Sequence, residues 1–226
     1  MDLRYYTDLI INNLEGGYYH PDMKANLRGG ERMGNSGETM FGLDRVNGGS
    51  LNTSEKGVKF WQIVDNNYGS HHAETKYYGD KADGKLVPAS VGESLKDYLT
   101  EIMSAQLEKN AAKLSNGARE IIFNNPDLLM QFFYACWNGS GNFQTFANVV
   151  NAAYDNGEKS AEAWWNLIQT ARRNKGGLFA EGADKLDGLR SQLSNGASSG
   201  WRWGLALLAV VGIGVLVSRK KKKRKK

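Results

Sequence analysis

Apolar residues near the start of the chain recur at the three- and four-residue steps of one helix face. They are Leu3, Tyr6, Ile10 and Leu14, a spacing that predicts an amphipathic helix. Gly16 and Gly17 follow directly, and glycine commonly ends a helix because it accepts positive φ. Glu15 is therefore predicted at the last turn, where the negative end of the helix dipole does not stabilise a carboxylate.

Helical periodicity returns after a glycine-rich, weakly periodic stretch that extends to about Asn52 and predicts loops with a small hairpin. The helices predicted there are marked by Val58, Trp61 and Val64; by Leu95, Leu99, Ile102 and Ala105 after a capping box of Ser90 and Glu93; by Leu129, Phe132, Phe133 and Cys136 after the helix start Asn125-Pro126; by Phe143, Phe146, Val150 and Ala153; and by Trp164, Leu167, Ile168 and Ala171. The expected class is mainly α, a helical lobe with a small irregular or β lobe near the front.

The C-terminal region carries the longest apolar run of the chain. Residues 201–217 read WRWGLALLAVVGIGVLV, interrupted only by the charge of Arg202. As a helix this run is about 25 Å long, slightly under the roughly 30 Å of a hydrocarbon core. Trp201 and Trp203 suit a membrane interface, and the flanking cations can extend to the headgroups. The predicted organisation is a body at 1–188, a flexible linker at 189–200, a transmembrane helix at 201–218 and a basic tail at 219–226. No N-terminal signal peptide is expected, because MDLRYYTDLI has an early acid and no apolar segment.

The overall charge of +5 comes from the tail rather than from the body. Residues 1–200 hold 20 basic and 24 acidic side chains, a net charge of −4. A nucleic-acid-binding domain would carry its basic patch on the fold itself, so this class is disfavoured. The single cysteine, Cys136, excludes an internal disulfide.

Glu15 is the leading candidate for chemistry. A carboxyl group at a helix end beside a glycine-rich lobe can face a cleft between two lobes. Burial against Tyr18, Tyr19 or Phe41 would raise its pKa and keep it protonated as a general acid. The alternative is a solvated surface glutamate, which is the commoner state of an isolated acid.

Two short motifs resemble those of the phage-type N-acetylmuramidases of the lysozyme superfamily. The first is Glu15, Gly16, Gly17 and Tyr18, and the second is Gly37, Thr39, Phe41 and Gly42. The stretch FFYACWNGSGNFQTFANVVNAA at 132–153 is similar to the helix–Asn-x-Gly–helix element of that family. Two departures stand between the motifs: KANLRGGERM is inserted, and the Asp-Pro-rich linker is reduced to Pro21-Asp22.

The resemblance implies a lysozyme-like fold and cleavage of the β-1,4 bond between N-acetylmuramic acid and N-acetylglucosamine in peptidoglycan. Glu15 would protonate the glycosidic oxygen, and Thr39 would position a water molecule or the sugar. Such enzymes commonly use a second carboxylate; the candidates are Glu38, Asp44, Glu31 and Asp22, and Glu38 is favoured because it adjoins Thr39. Without a second carboxylate the 6-hydroxyl of the substrate could attack, which would make the protein a lytic transglycosylase. The expected substrate-binding residues are Tyr18, Phe41, Tyr134, Trp137 and Asn138, and no cofactor or metal is expected.

Two other functions compete with this interpretation. A thiol nucleophile at Cys136 with His20, His71 or His72 would indicate a peptidoglycan amidase or endopeptidase, although FFYACW favours a core cysteine. His71 and His72 with Glu74 could bind a metal, but no second ligand cluster at zinc spacing follows. The non-enzymatic alternative is a membrane-anchored structural or binding protein, which would not need an acid at a helix end.

A wall-degrading domain joined to a membrane tail resembles the virion-associated lytic enzymes of membrane-containing bacteriophages. The resemblance implies peptidoglycan and a lipid membrane as partners, with a virion membrane as the location and the host cell wall as the place of action. Anionic lipid or packaged nucleic acid could bind the basic tail. Entry and exit of the phage both remain open as the step that the protein serves.

The tail generates the first prediction. The full chain should fractionate with membranes, resist extraction by high salt and dissolve in detergent, because an apolar helix is not displaced by screening its charges. A chain of residues 1 to about 190 should stay in the soluble fraction and be lytic alone. Release of the full chain by salt alone would show that only the cations bind the membrane.

Overall fold

The computed structural model describes residues 2–15, 18–19, 39–45, 48–68 and 89–196. The helices in these ranges are α1 Leu3–Asn13, α2 Ser50–Thr53, α3 Glu55–Tyr68, α4 Ala89–Ala111, α5 Asn116–Asn124, α6 Pro126–Trp137, α7 Ser140–Asp155, α8 Ala161–Lys175 and α9 Gly177–Gly196. The strands are β1 Tyr18–Tyr19, β2 Thr39–Met40 and β3 Leu43–Asp44, which form an antiparallel sheet in the order β1-β2-β3. The mainly α class with a small β lobe near the front is confirmed.

The first helix ends close to the predicted position. Asp2 caps α1 by accepting a hydrogen bond from the backbone N–H of Arg4. The helix ends at Asn13, and the N–H groups of both Leu14 and Glu15 donate to the carbonyl of Ile10, at 2.8 and 2.9 Å. Glu15 therefore lies immediately after the helix, and its backbone is fixed to the last turn.

An ion-pair cluster joins α1 to α4. The guanidinium of Arg4 contacts Glu93 at 2.5 Å and also pairs with Asp97, and Glu93 accepts a further bond from Lys96 at 3.1 Å. The predicted capping box of Ser90 and Glu93 is wrong, because α4 begins at Ala89 and so includes Ser90. Glu93 serves the contact between two helices instead of a helix end.

Helix α6 is the centre of the molecule. Every residue from 128 to 136 is buried, and α6 packs against α1, α4, α5, α7, α8 and α9. The predicted start is confirmed: Pro126 is the first helical residue, and the Asn125 side chain accepts from the N–H of Leu128 at 3.0 Å. A helix that is apolar on every face is normally buried on every face, and the position of α6 agrees with this rule.

Three predicted core positions lie on outer helix faces. Val58 is 44% exposed, Leu167 is 38% exposed, and Ala105 is also exposed. The core is filled instead by neighbouring residues one or two positions away: Phe60 on α3, Met103 and Leu107 on α4, and Trp165 on α8. Apolar spacing identified these helices correctly but left their rotation open, and the contacts between helices fix the rotation.

The last described helix was not predicted, and it replaces part of the predicted linker. Helix α9 continues to Gly196, so residues 189–196 are helical. Leu186, Leu189 and Leu193 are buried at helical spacing, which explains why the helix extends into the polar sequence SQLSNG. The predicted membrane span and basic tail lie outside the described residues. Among the helices that the structure does describe, none combines the length and the apolar character needed to cross a bilayer.

Leu193 provides a test of where the folded body ends. Leu193→Ala should lower the free energy of unfolding by about 2–5 kcal/mol, because the side chain is fully buried. The control Leu167→Ala, on the outer face of α8, should change it by no more than about 0.5 kcal/mol. Denaturant titration measures both, and equal small effects would restore the linker interpretation of residues 189–196.

Candidate active site

The hairpin β2–β3 brings its turn to the end of α1. Met40 pairs with Leu43 and Thr39 with Asp44, so the turn consists of Phe41 and Gly42. Both turn residues have positive φ, 51° and 78°. Positive φ at both positions is the requirement of the type I′ turns that match the twist of a two-residue hairpin.

The carboxyl group of Glu15 lies directly against Gly42. A Cβ atom placed on Gly42 would be 2.5 Å from Oε2 of Glu15 and 2.7 Å from its Cδ. A side chain at position 42 would displace the Glu15 carboxyl group, and the positive φ of Gly42 independently favours glycine. The turn backbone and the candidate acid are therefore in van der Waals contact.

Helix α6 holds the turn from the other side. The indole N–H of Trp137 donates to the carbonyl oxygen of Phe41 at 3.0 Å. Phe41 is a non-glycine residue at positive φ, a conformation that costs about 1–3 kcal/mol and needs support from its surroundings. Its ring is 4% exposed. Phe41 and Trp137, both predicted to bind substrate, thus attach the hairpin to the helical body.

Tyr134 links Glu15 to the end of α6. Its hydroxyl forms hydrogen bonds with Glu15 and with Asn138. Burial and, next, the negative charge of Glu15 raise the pKa of Tyr134 well above its usual range. The phenol therefore stays protonated and can donate. Its ring is only 6% exposed, so it offers the site a hydroxyl group rather than a stacking face for sugar.

A fully buried arginine supports this tyrosine from behind. The guanidinium carbon of Arg172 lies 5.0 Å from the ring centre of Tyr134 and 4.6 Å from that of Phe146. Its Nε and Nη2 donate to the side chain and the backbone of Gln131, at 3.0 and 3.1 Å, and Nη1 donates to Oδ1 of Asn138 at 3.2 Å. Burial lowers the pKa of Arg172 to about 10, which leaves it charged at neutral pH.

The sequence contained a signal for Arg172 that the pattern analysis missed. Arg172 follows Trp164 by eight residues and Ile168 by four, and all three are fully buried on α8. An arginine in register with an apolar stripe therefore indicates a buried charge. Read as part of the basic last turn of α8, the same residue looks like an ordinary partner of the helix dipole.

Thr39 lies on the same hairpin, with one candidate carboxylate opposite it. Thr39 is 5% exposed, and Asp44 is its cross-strand partner. Directly opposite residues in an antiparallel pair project to the same face of the sheet. The structure thus places Asp44 beside Thr39, while the favoured Glu38 lies outside the described residues.

Several predicted residues lie outside the part of the chain that the structure describes. They are Glu38, Glu31 and Asp22, the histidines His20, His71 and His72, and Glu74. For Tyr18 the structure describes the backbone in β1. Among the described residues, no group of three or more histidine, cysteine, aspartate or glutamate side chains could hold a metal ion.

Cys136 is a core residue of α6. Its side chain is 1% exposed, and its thiol donates to the carbonyl of Phe132 at 3.5 Å. Burial raises the pKa of Cys136 to about 12. Because the nucleophile is the thiolate, a thiol in this environment is poorly suited to covalent catalysis.

Comparison with protein-family models, with curated proteins and with solved structures finds no match for this chain. The chemistry of the site and the two motifs at residues 15–18 and 37–42 are therefore the indications of function that this chain offers.

The contact between Gly42 and Glu15 can be tested by a double-mutant cycle. Gly42→Ala should lower the free energy of unfolding through both its φ and the clash with Glu15. In the Glu15→Ala background the clashing atoms are absent, so the same substitution should cost less.

The matched control is Gly157, which also has positive φ, 85°, but has open space where a Cβ would lie. Gly157→Ala should cost the same free energy with and without Glu15. A coupling of zero between positions 42 and 15 would contradict the described approach of the carboxyl group to the turn.

Proposed function

We propose that this protein is a peptidoglycan-degrading glycosidase of the lysozyme-like class, with Glu15 as its general acid. The observation that carries the proposal is the position of the Glu15 carboxyl group, which lies where the helical body meets the hairpin. It contacts the bare backbone of Gly42 and the hydroxyl of Tyr134. A half-buried acid with a dedicated hydrogen-bond donor, between two lobes, is a typical arrangement for acid catalysis.

In the proposed reaction the proton of Glu15 passes to the glycosidic oxygen between N-acetylmuramic acid and N-acetylglucosamine. The bond between C1 of the muramic acid residue and that oxygen breaks, and the leaving sugar departs as an alcohol. Water then adds hydroxide to C1, and its remaining proton restores the acid. The resemblance of residues 15–18 and 37–42 to the phage-type muramidases supports this choice of substrate.

Asp44 and Glu38 are the two leading candidates for the second carboxylate. Asp44 pairs with Thr39 across the hairpin, and Glu38 precedes Thr39 in the chain. In this scheme Thr39 orients the attacking water or the sugar. Carboxyl groups about 5 Å apart predict retention of configuration at C1, and a separation of about 6.5–9.5 Å predicts inversion.

The same acid could serve a lytic transglycosylase. In that reaction Glu15 protonates the leaving glycosidic oxygen, the 6-hydroxyl oxygen of the muramic acid residue displaces it from C1, and the hydroxyl proton returns to the Glu15 carboxylate, giving a 1,6-anhydro product without consuming water. The two products differ by one water molecule. Mass spectrometry of the released muropeptides therefore distinguishes hydrolysis, which leaves a reducing end, from transglycosylation.

We propose further that residues 201–218 anchor the enzyme in a virion membrane. The apolar run, its interfacial tryptophans and the cationic tail support this location. With the tail on one side, the catalytic body faces the cell wall from the other. The acidic balance of residues 1–200 leaves the basic tail as the part that would contact anionic lipid or packaged nucleic acid.

Glu15→Gln tests the proposed function. The substitution keeps size and hydrogen bonding but removes the transferable proton, so it should reduce wall-lytic activity by on the order of 10²–10⁴-fold. Zymography on bacterial cell walls and quantification of muropeptides measure the loss. The control Glu108→Gln alters an exposed acid on α4 and should leave activity unchanged.

Cys136→Ala separates the glycosidase from the amidase alternative. It should retain lytic activity and cost roughly 1 kcal/mol of stability through lost packing. Inactivity of a folded Cys136→Ala protein, together with an active Glu15→Gln protein, would favour the thiol enzyme. A chain inactive in every form would favour a structural or binding role.

A further inference from the structure

The surroundings of Arg172 are unusual for a buried charge. Buried guanidinium groups are normally paired with carboxylates, because an uncompensated charge in the interior is strongly unfavourable. Every hydrogen-bond acceptor that the structure gives Arg172 is instead neutral: the side chain and backbone of Gln131 and the side chain of Asn138. A positive charge retained under these conditions beside a candidate acid calls for a functional reason.

The fixed position of Arg172 is accompanied by a buried amide group of Gln131 that lacks a hydrogen-bond partner in the described structure. Gln131 accepts two bonds from Arg172, while its own Nε2 is buried with no hydrogen-bond partner in the described structure. The guanidinium carbon of Arg172 also lies within 5.0 Å of the ring centres of both Tyr134 and Phe146. The arrangement fixes the orientation of Arg172 at the expense of other contacts.

We infer that Tyr134 is a positioning residue for Glu15, and that Arg172 holds and polarises Tyr134 for this purpose. The inference rests on the proposed function, since it assigns a role in the same acid catalysis. Tyr134 donates its hydroxyl proton in a hydrogen bond to the Glu15 carboxylate that forms when the acid has given its proton to the sugar. Arg172 acts through the tyrosine and does not itself touch the substrate.

The reason for an intervening phenol lies in the balance that a general acid requires. A direct ion pair with arginine would stabilise the carboxylate so strongly that Glu15 would hold no proton to donate. With Tyr134 interposed, the positive charge is one side chain further from Glu15. Its main effect is to strengthen the hydrogen bond that the Tyr134 hydroxyl donates to Glu15. That bond strengthens as charge develops on Glu15, so it favours the transition state over the ground state.

Two further contacts keep the phenol in place. Asn138 bonds the Tyr134 hydroxyl and is itself held by Nη1 of Arg172. On α9, a Cβ atom placed on Gly182 would be 3.7 Å from the same hydroxyl, so the glycine backbone of α9 faces Tyr134 there. Among the described residues, Glu15 and Arg172 are the charged groups that act on Tyr134.

The test compares Tyr134→Phe with wild type on solubilised peptidoglycan strands over a range of pH. Loss of a hydrogen bond to a charged group should lower kcat by about 10- to 100-fold with little change in KM. Because the carboxylate form of Glu15 loses a donor, Glu15 should stay protonated to higher pH. The basic limb of the pH–kcat profile should therefore move to higher pH.

Tyr6→Phe is the matched control. Tyr6 is equally buried, and its hydroxyl donates to the carbonyl of Pro126 at 3.2 Å in the core. Tyr6→Phe should reduce stability without moving kcat or the pH profile, which separates positioning from general loss of packing.

Arg172→Lys provides a second, independent variant. It keeps the positive charge but cannot reproduce the three hydrogen bonds that orient the guanidinium, so its kcat should fall and its basic limb should shift in the same direction as that of Tyr134→Phe. Wild-type kcat and pH profile in Tyr134→Phe, with Glu15→Gln inactive, would overturn the inference and leave the proposed function standing. An active Glu15→Gln would overturn the proposed function itself.

Discussion

The buried guanidinium of Arg172 joins the parts of the helical body that surround the candidate acid. From α8 it reaches two turns of α6 through Gln131 and Asn138, and it lies against the Phe146 ring of α7. The hydrogen bonds of Arg172 are donated to the backbone and side chain of Gln131 and to the side chain of Asn138. They fix the position of the C-terminal end of α6. The Tyr134 hydroxyl is fixed by that end of the helix, and Glu15 contacts the hydroxyl. The geometry of the site thus depends on a charge that is separated from Glu15 by the side chain of Tyr134.

The other side of the site is fixed by separate contacts. Arg4 joins α1 to α4, so the helix that carries Glu15 has a defined position. Trp137 joins the strained turn at Phe41 to α6, so the hairpin that contacts Glu15 also has a defined position. The acid lies between elements that are distant in sequence, and each is held by a different helix: α1 by α4 and the hairpin by α6. Such a site tolerates little independent movement of its two halves.

The local features of this fold were predictable, and the features that depend on tertiary contacts were not. Asn125-Pro126 marks a helix start, and Gly16 with Gly17 marks a helix end, because caps and breakers act through the nearest backbone. The hairpin was expected, but the exact rotation of α8 was not. Leu167 and Trp165 are both apolar, and only the packing of the helices decides that Trp165 is the one buried. Helix α9 was missed because its polar residues concealed the stripe of Leu186, Leu189 and Leu193. In the site, Glu15 and Thr39 came from short motifs. The register of Arg172 with the apolar stripe of α8 indicated its burial, whereas its contact with Tyr134 depends on how the helices pack.

The position of Glu15 also explains why an acid can follow a helix end that does not favour a carboxylate. The carbonyl groups at the end of α1 make the neutral form more favourable, while the Tyr134 hydroxyl and the charge behind it make the ionised form more favourable. A surface glutamate needs neither influence, and a structural ion pair would have only the second. Two opposing influences therefore act on the carboxyl group of Glu15. A general acid must both hold a proton and release it. Here the end of α1 favours the protonated form of Glu15, and Tyr134 in the last turn of α6 favours the ionised form.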